Sequence, residues 1–247
     1  MIIMPPTADK IDSSKIKGVV LDCGDVILHA PEHRWWPPPY MNQILAEWGI
    51  NVNPPDIHPV MRAISRLLDE SHHLHTSIEA ENEQFRKHFR LALEMLGYPS
   101  PDEALIEALV RMQSDPEWYI VYDETEPVLR ELKSRGYHLH MLSNSFRYLE
   151  GIMRIKGLDK YFDGMTISAF EGHMKPDDRI YLAALDSIRI PSENLLYIDD
   201  IPPYVLKGMS FGMQGLVLDR FDRKRTDGVS YINSLMELLN ILPSIHI

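Results

Sequence analysis

Gly18-Val19-Val20-Leu21-Asp22-Cys23-Gly24-Asp25-Val26 is the stretch that decides the fold of this chain. Val19, Val20 and Leu21 are apolar in succession, as a strand covered on both faces of a sheet requires, and the run ends on a carboxylate. Short apolar runs of the same kind recur at residues 138–142, 165–168, 195–198 and 215–218. Helical patterns at about 146–156, 177–187 and 202–211 fill the gaps, and another begins near Thr125. Thr125 is placed to cap that helix, Pro127 suits its first turn, and Gly136 offers a left-handed exit. Strands alternating with helices predict an α/β, Rossmann-like core on a parallel sheet.

Residues 33–118 break this rhythm. No strand pattern occurs there, and Met61, Ile64, Leu67, Leu68 and then Phe85, Phe89, Leu93, Leu96 recur at helical spacing. They read as core stripes. The segment predicts a small all-helical domain, 33–118, inserted into an α/β core made of 1–32 plus 119–247. Such an insertion is tolerated where the host's chain ends at the junction lie close together. Trp118-Tyr119 marks the return to the core.

Composition excludes several partners. Thirty-six acidic residues against 25 basic ones leave a net charge of -11, the wrong sign for a nucleic-acid partner. The basic run from Arg220 to Arg225 is broken by Asp222 and reads as a solvated loop. One cysteine cannot form an internal disulfide. The first residues hold no apolar stretch of signal-peptide type, and no window approaches the ~18 apolar residues that cross a bilayer. The expectation is a soluble, cytoplasmic protein with no membrane partner; no feature speaks to its oligomeric state.

The chemistry-bearing residues fall at predicted strand ends. In an open parallel sheet the carboxyl ends of the strands face a common crevice, where ligands bind. Asp22 closes the first strand, Ser143 the second and Asp199-Asp200 the fourth, while Lys175 follows the third. Three carboxylates brought together repel one another unless a cation sits among them, and oxygen ligands in that number suit Mg²⁺. A carboxylate can attack phosphorus, splitting one hard displacement into two easier ones. A hydroxyl, backbone amides and an ammonium can hold the phosphoryl oxygens.

Asp22-Cys23-Gly24-Asp25-Val26, Leu142-Ser143-Asn144-Ser145, Lys175-Pro176 and Ile198-Asp199-Asp200 resemble, in order, the four motifs of the haloacid dehalogenase-like hydrolase superfamily. The run from Lys175 through Ile180-Tyr181 is similar to its phosphatase-type members. The resemblance implies a phosphatase with a helical cap inserted after the first motif, acting on a small phosphorylated metabolite with Mg²⁺. It implies Asp22 as nucleophile and metal ligand, and the Gly24 carbonyl and Asp200 as further ligands, with Asp199 beside them. Ser143 and Lys175 would bind the phosphoryl group, supported by Asn144.

Two positions depart from that pattern. Phosphatases of the superfamily commonly carry an acid two residues after the nucleophile, where this chain has Gly24; losing a positioned proton donor typically costs about 10²–10⁴-fold. Asp25, His29, His33 or a water are the substitutes at hand. Ile201-Pro202-Pro203-Tyr204 offers no Asn or Asp after the acidic pair. These departures keep two alternatives open: a 2-haloacid dehalogenase-type hydrolase, or a catalytically weak phospho-ligand-binding protein. Of the remaining features, Cys23 reads as a buried structural thiol. His72-His73-Leu74-His75 lacks a third zinc ligand and reads as polar cap surface. Trp35-Trp36-Pro37-Pro38-Pro39-Tyr40, with Arg34, either walls the substrate pocket or packs the helical segment on the core.

Overall fold

The computed structural model describes residues 11–33, 35, 41–52, 54–223 and 225–245. Strand β1 (Gly18–Leu21) leads into a two-residue β2 (Leu28–His29), then helices α1 (Met41–Glu47), α2 (Pro54–Glu70), α3 (Ile78–Met95) and α4 (Glu103–Gln113). The chain returns through β3 (Ile120–Val121) and α5 (Thr125–Ser134) to β4 (His138–Ser143), α6 (Tyr148–Ile155), β5 (Gly164–Ile167) and the short α7 (Ser168–Glu171). It closes with α8 (Asp178–Ile188), β6 (Leu195–Asp199), α9 (Pro202–Ser210), β7 (Gln214–Leu218), β8 (Ser230–Ile232) and α10 (Leu238–Ile241).

The sheet runs β5-β4-β1-β6-β7-β8 with every pairing parallel, so β1 lies in the interior of an α/β fold. Its alternation shows why all three apolar residues are needed. Val19 and Leu21 pack against Val128, Leu129 and Leu132 of α5, whereas Val20 packs with Ile180, Tyr181 and Ala184 of α8. Each such side chain taken from water contributes about 1.5–3 kcal/mol. Helix α9 seats closely on β6: a Cβ on Gly208 would stand 2.5 Å from the Tyr197 ring. That approach fixes the turn at Asp199-Asp200, from which α9 springs.

The helices between β2 and β3 bury a cluster of their own, including Met41, Met61, Ile64, Phe85, Phe89 and Leu109. Antiparallel pairing of β2 with β3 brings the two connections to this segment together.

Several details differ from the reading above. Thr125 is the first residue of α5 and not its cap; its hydroxyl donates to the Ile27 carbonyl at 2.7 Å, a tertiary bond that local pattern cannot reveal. Gly136 has φ +92°, the expected left-handed exit. Strand β8 and the β2–β3 ribbon were not anticipated, because two- and three-residue strands carry no period. The His72–His75 turn is surface only at His73 and Leu74. His72 and His75 are buried, stack at 5.1 Å, and lie against Phe146, and His75 Nδ1 meets Glu81 at 3.2 Å. Glu81 in turn accepts the Arg147 backbone N–H at 3.0 and 3.1 Å, tying α3 to the start of α6.

His140 in β4 is fully buried, with Nε2 2.8 Å from the Thr166 hydroxyl. Burial, and secondarily His138, push its pKa down from 6.5 to about 4. Below pH 6.5 the unfolded chain takes up a proton that the folded chain refuses. Stability therefore holds above that pH and falls as the pH drops toward 4, by about 3 kcal/mol from this residue. Urea midpoints across that window should decline with acid, and less so in His140→Gln; equal slopes in the two proteins would refute the assignment.

Candidate active site

The carboxyl ends of β1, β4 and β6 deliver their terminal residues to one edge, as the parallel register demands. Asp22 follows β1 and is anchored by its own N–H to the Ile198 carbonyl at 2.9 Å. Ser143 ends β4, and Asp199 ends β6 with Asp200 next. Lys175, from the loop before α8, reaches across to them. Its buried ammonium donates to Asp22 Oδ1 at 2.7 Å, Asp199 Oδ2 at 2.7 Å and the Leu142 carbonyl at 3.0 Å. Three acceptors meet three N–H bonds, so the lysine is spatially fixed.

Its backbone is held as firmly. Asn144 Oδ1 accepts the Lys175 N–H at 2.6 Å, and Asn144 Nδ2 donates to the Lys175 carbonyl at 2.9 Å. Asn144 thus grips the lysine's own peptide groups. Asp199 is similarly spent: Oδ2 also accepts the Tyr197 hydroxyl at 2.5 Å, and Oδ1 accepts the Ile201 N–H at 2.9 Å. Ser145 exchanges hydrogen bonds with Ser168, which steadies the loop behind Ser143.

One ammonium does not balance the carboxylates. Burial raises Asp22, against the pull of Lys175 and with the push of Asp199 and Asp200. Asp200 is raised to about 6 by burial and by Asp199, opposed by Arg223. Burial alone would lower Lys175, yet Asp199 and Asp22 outweigh it and hold the ammonium protonated. With Lys175 2.7 Å from both oxygens, the charge-separated form is the one the geometry supports. With Lys175 between Asp22 and Asp199 and Arg223 on Asp200, one negative charge is left over among the three carboxylates. One oxygen each from Asp22, Asp199 and Asp200 lie within 4.8 Å of one another, a hard-oxygen donor set that fits a divalent cation such as Mg²⁺.

These residues floor a cavity of about 370 Å³ between the sheet edge and the helical segment. Gly24, Ser143, Lys175 and Asp200 line it from the core, while Leu68, Asp69, His72 and Gln113 line it from the helices. Tyr204 occupies the place after the acidic pair and forms a wall, its ring 5.2 Å from Lys175 Nζ. Cys23 is buried in the core as expected. Of the candidate proton donors, His29 and His33 stack on each other at 4.2 Å and beside Tyr122, outside the residues that line the cavity. Trp35 lines the cavity; Arg34 and Trp36 to Tyr40 lie outside the described residues.

The basic run is exposed at residues 221–223, as a solvated loop would be, but its arginines also hold the site. Arg220 donates to the Asp25 carbonyl at 3.0 Å and the Val26 carbonyl at 2.9 Å, pairs with Glu124 at 2.6 Å, and lies 3.7 Å over the Tyr122 ring. It clamps the loop that follows Asp22. Arg223 reaches Asp200 Oδ2 at 3.0 Å. Charge counting along the chain hid both residues. The strand-end rule would have found them, since β7 ends at Leu218 on the same edge.

Fold and site together define an α/β protein whose buried Asp–Lys–Asp centre opens into a crevice at the carboxyl edge of a parallel sheet. The chain belongs to the haloacid dehalogenase-like hydrolase family, whose model matches residues 16–205. It is 41% identical over 81 residues to human haloacid dehalogenase-like hydrolase domain-containing protein 3, covering 33% of this chain and 32% of that one. It is 31% identical over 135 residues to a phosphoserine phosphatase of Thermus thermophilus, covering 53% of each. These matches span a third to about half of the curated relatives. Among solved structures, the putative HAD-hydrolase YfnB from Bacillus subtilis, bound to magnesium, superposes with TM-score 0.65 at 18% identity, covering 92% of this chain and 98% of that one. A 2-haloacid dehalogenase from Pseudomonas syringae gives the same score at 20% identity, covering 92% and 97%. Likeness at that identity speaks to the fold.

Proposed function

We propose that this chain is a Mg²⁺-dependent phosphatase that hydrolyses a small phosphorylated metabolite through an aspartyl-phosphate on Asp22. One observation carries the reading: Asp22 stands at the cavity floor, held by Lys175, with Asp200 alongside. Asp22, Asp200 and the Gly24 carbonyl would hold the ion, while Asp199 keeps Lys175 in place. When bound, Mg²⁺ supplies charge neutralisation and orients the anionic substrate against the carboxylate. The Ser143 hydroxyl then holds one phosphoryl oxygen and Lys175, giving up one of its three present acceptors, holds another, while Asp22 attacks phosphorus in line with the leaving oxygen. Water hydrolyses the acyl-phosphate and returns the carboxylate. Residues 33–118 serve as a cap domain on a core of 1–32 plus 119–247. Phosphatase-named relatives support the phosphate chemistry. Among the described residues, no helix is long and apolar enough to cross a membrane.

A panel of phosphate esters assayed with Mg²⁺ should yield inorganic phosphate, and chelation with EDTA should remove turnover by about 10²-fold or more. Halide release from 2-haloacids that persists in EDTA would instead establish the dehalogenase reading. Tight ligand binding without turnover would establish a binding protein.

A further inference from the structure

The space beside Gly24 is bounded by Trp35. A Cβ on Gly24 would stand 3.5 and 3.6 Å from the indole of Trp35, in ordinary contact, so a side chain at this position would lie against the ring. Trp35 Nε1 donates to Asp25 Oδ2 at 3.1 Å, and the Tyr122 hydroxyl donates to Asp25 Oδ1 at 3.4 Å. Both Asp25 oxygens therefore act as acceptors, turned to the ring and the phenol. Of the other groups lining the cavity, His72 is buried and its pKa is pushed down to about 4, by burial and then by His75, so it is neutral near pH 7. Burial raises the phenols of Tyr119 and Tyr204, which makes both weaker acids than free tyrosine. Asp69 stands exposed on the helical wall, its carboxyl raised by partial burial and then by Glu70, and Asp69→Asn reads whether it delivers a proton. Two further rings line the same cavity: Tyr119, 6.0 Å from Trp35, and Phe146.

A phosphate ester of an ordinary alcohol needs a proton delivered to its leaving oxygen; an ester of an acidic hydroxyl does not. We propose that this site takes aryl or enol phosphates, and that Trp35 sets that preference by bounding the volume beside Gly24 and presenting a ring to a planar leaving group. The inference rests on the phosphatase reading. An Asp22 oxygen forms a bond to phosphorus as the bond from phosphorus to the leaving oxygen breaks. The electron pair stays on that oxygen and delocalises into the ring or enolate, which later takes a proton from water. A water molecule then displaces Asp22 from phosphorus, giving inorganic phosphate.

The test is kcat/KM with Mg²⁺ over substituted phenyl phosphates of graded phenol acidity, together with glycerol phosphate and a hexose 6-phosphate. The rate should fall steeply as the leaving group becomes more basic, leaving the alkyl esters slower than p-nitrophenyl phosphate by about 10²-fold or more. Asp25→Asn and Asp69→Asn should each leave that slope unchanged. Trp35→Ala should raise KM for aryl esters about tenfold, and Trp35→Phe, which keeps a ring, should largely restore it. A flat dependence overturns the proposal, as does a slope that steepens in either Asp variant, since that variant would then have lost the acid. Release from the alkyl esters alone overturns it while sparing the phosphatase reading. Release from no ester at all overturns both.

Discussion

Asp22→Asn is expected to abolish phosphate release, with kcat lower by about 10⁴-fold or more, because an amide cannot form the acyl-phosphate. The substitution is nearly isosteric, and its structural cost is small for a stated reason. Asp22 is one of three carboxylates crowded around Lys175, so removing its charge relieves repulsion with Asp199 and Asp200 while the amide oxygen can still accept the lysine N–H at the position now 2.7 Å away. The variant should therefore fold with a denaturation midpoint close to that of the parent. A protein that is folded and still turns over would exclude a covalent role for this residue. A protein that fails to fold would leave the rate uninterpretable, and for that case Asp22→Glu is the companion: it keeps the charge, displaces the attacking oxygen, and should be equally inactive.

Lys175→Met should damage activity and stability together. The ammonium joins Asp22 to Asp199, and Asp199 is completely buried. Removing the cation strands two negative groups in low dielectric, a loss of about 3–5 kcal/mol for a broken buried pair. Turnover should fall about 10²–10³-fold beyond any unfolding, because the charge developing on the phosphoryl oxygens loses its fixed donor. Adding Asp199→Asn to Lys175→Met should recover part of the stability and none of the activity. That split separates the two roles of the lysine: Asp199 is its anchor, whereas the substrate needs the ammonium itself. If Lys175→Met matched the parent in denaturation midpoint, the bridge would contribute nothing and the electrostatic account of the centre would be wrong.

Much of this architecture is written locally. Val19-Val20-Leu21 specifies a strand covered on both faces because each side chain must find an apolar partner, and the alternation into α5 and α8 supplies them. The strand ends carry Asp22, Ser143 and Asp199 to one edge because parallel strands in register have no other place to end. Composition and spacing also separate the helical segment, since 3.6-residue stripes cannot serve a sheet.

Other features depended on residues distant in the chain. Thr125 looks like a cap until Ile27 is brought beside it, and the His72–His75 turn looks polar until Phe146 and Glu81 enclose it. Arg220 and Arg223 look like a solvated run until the fold places the Asp25 and Val26 carbonyls and Asp200 within hydrogen-bonding reach. The alternation of the main strands with helices, and the strand ends that carry the site residues, were determined by the sequence alone, because they follow from periodicity and from which side chains exclude water. How the charges are shared was decided only by the tertiary structure: Asp199 belongs to Lys175, and Trp35 borders Gly24, because electrostatics and steric exclusion act over distances that no local pattern encodes.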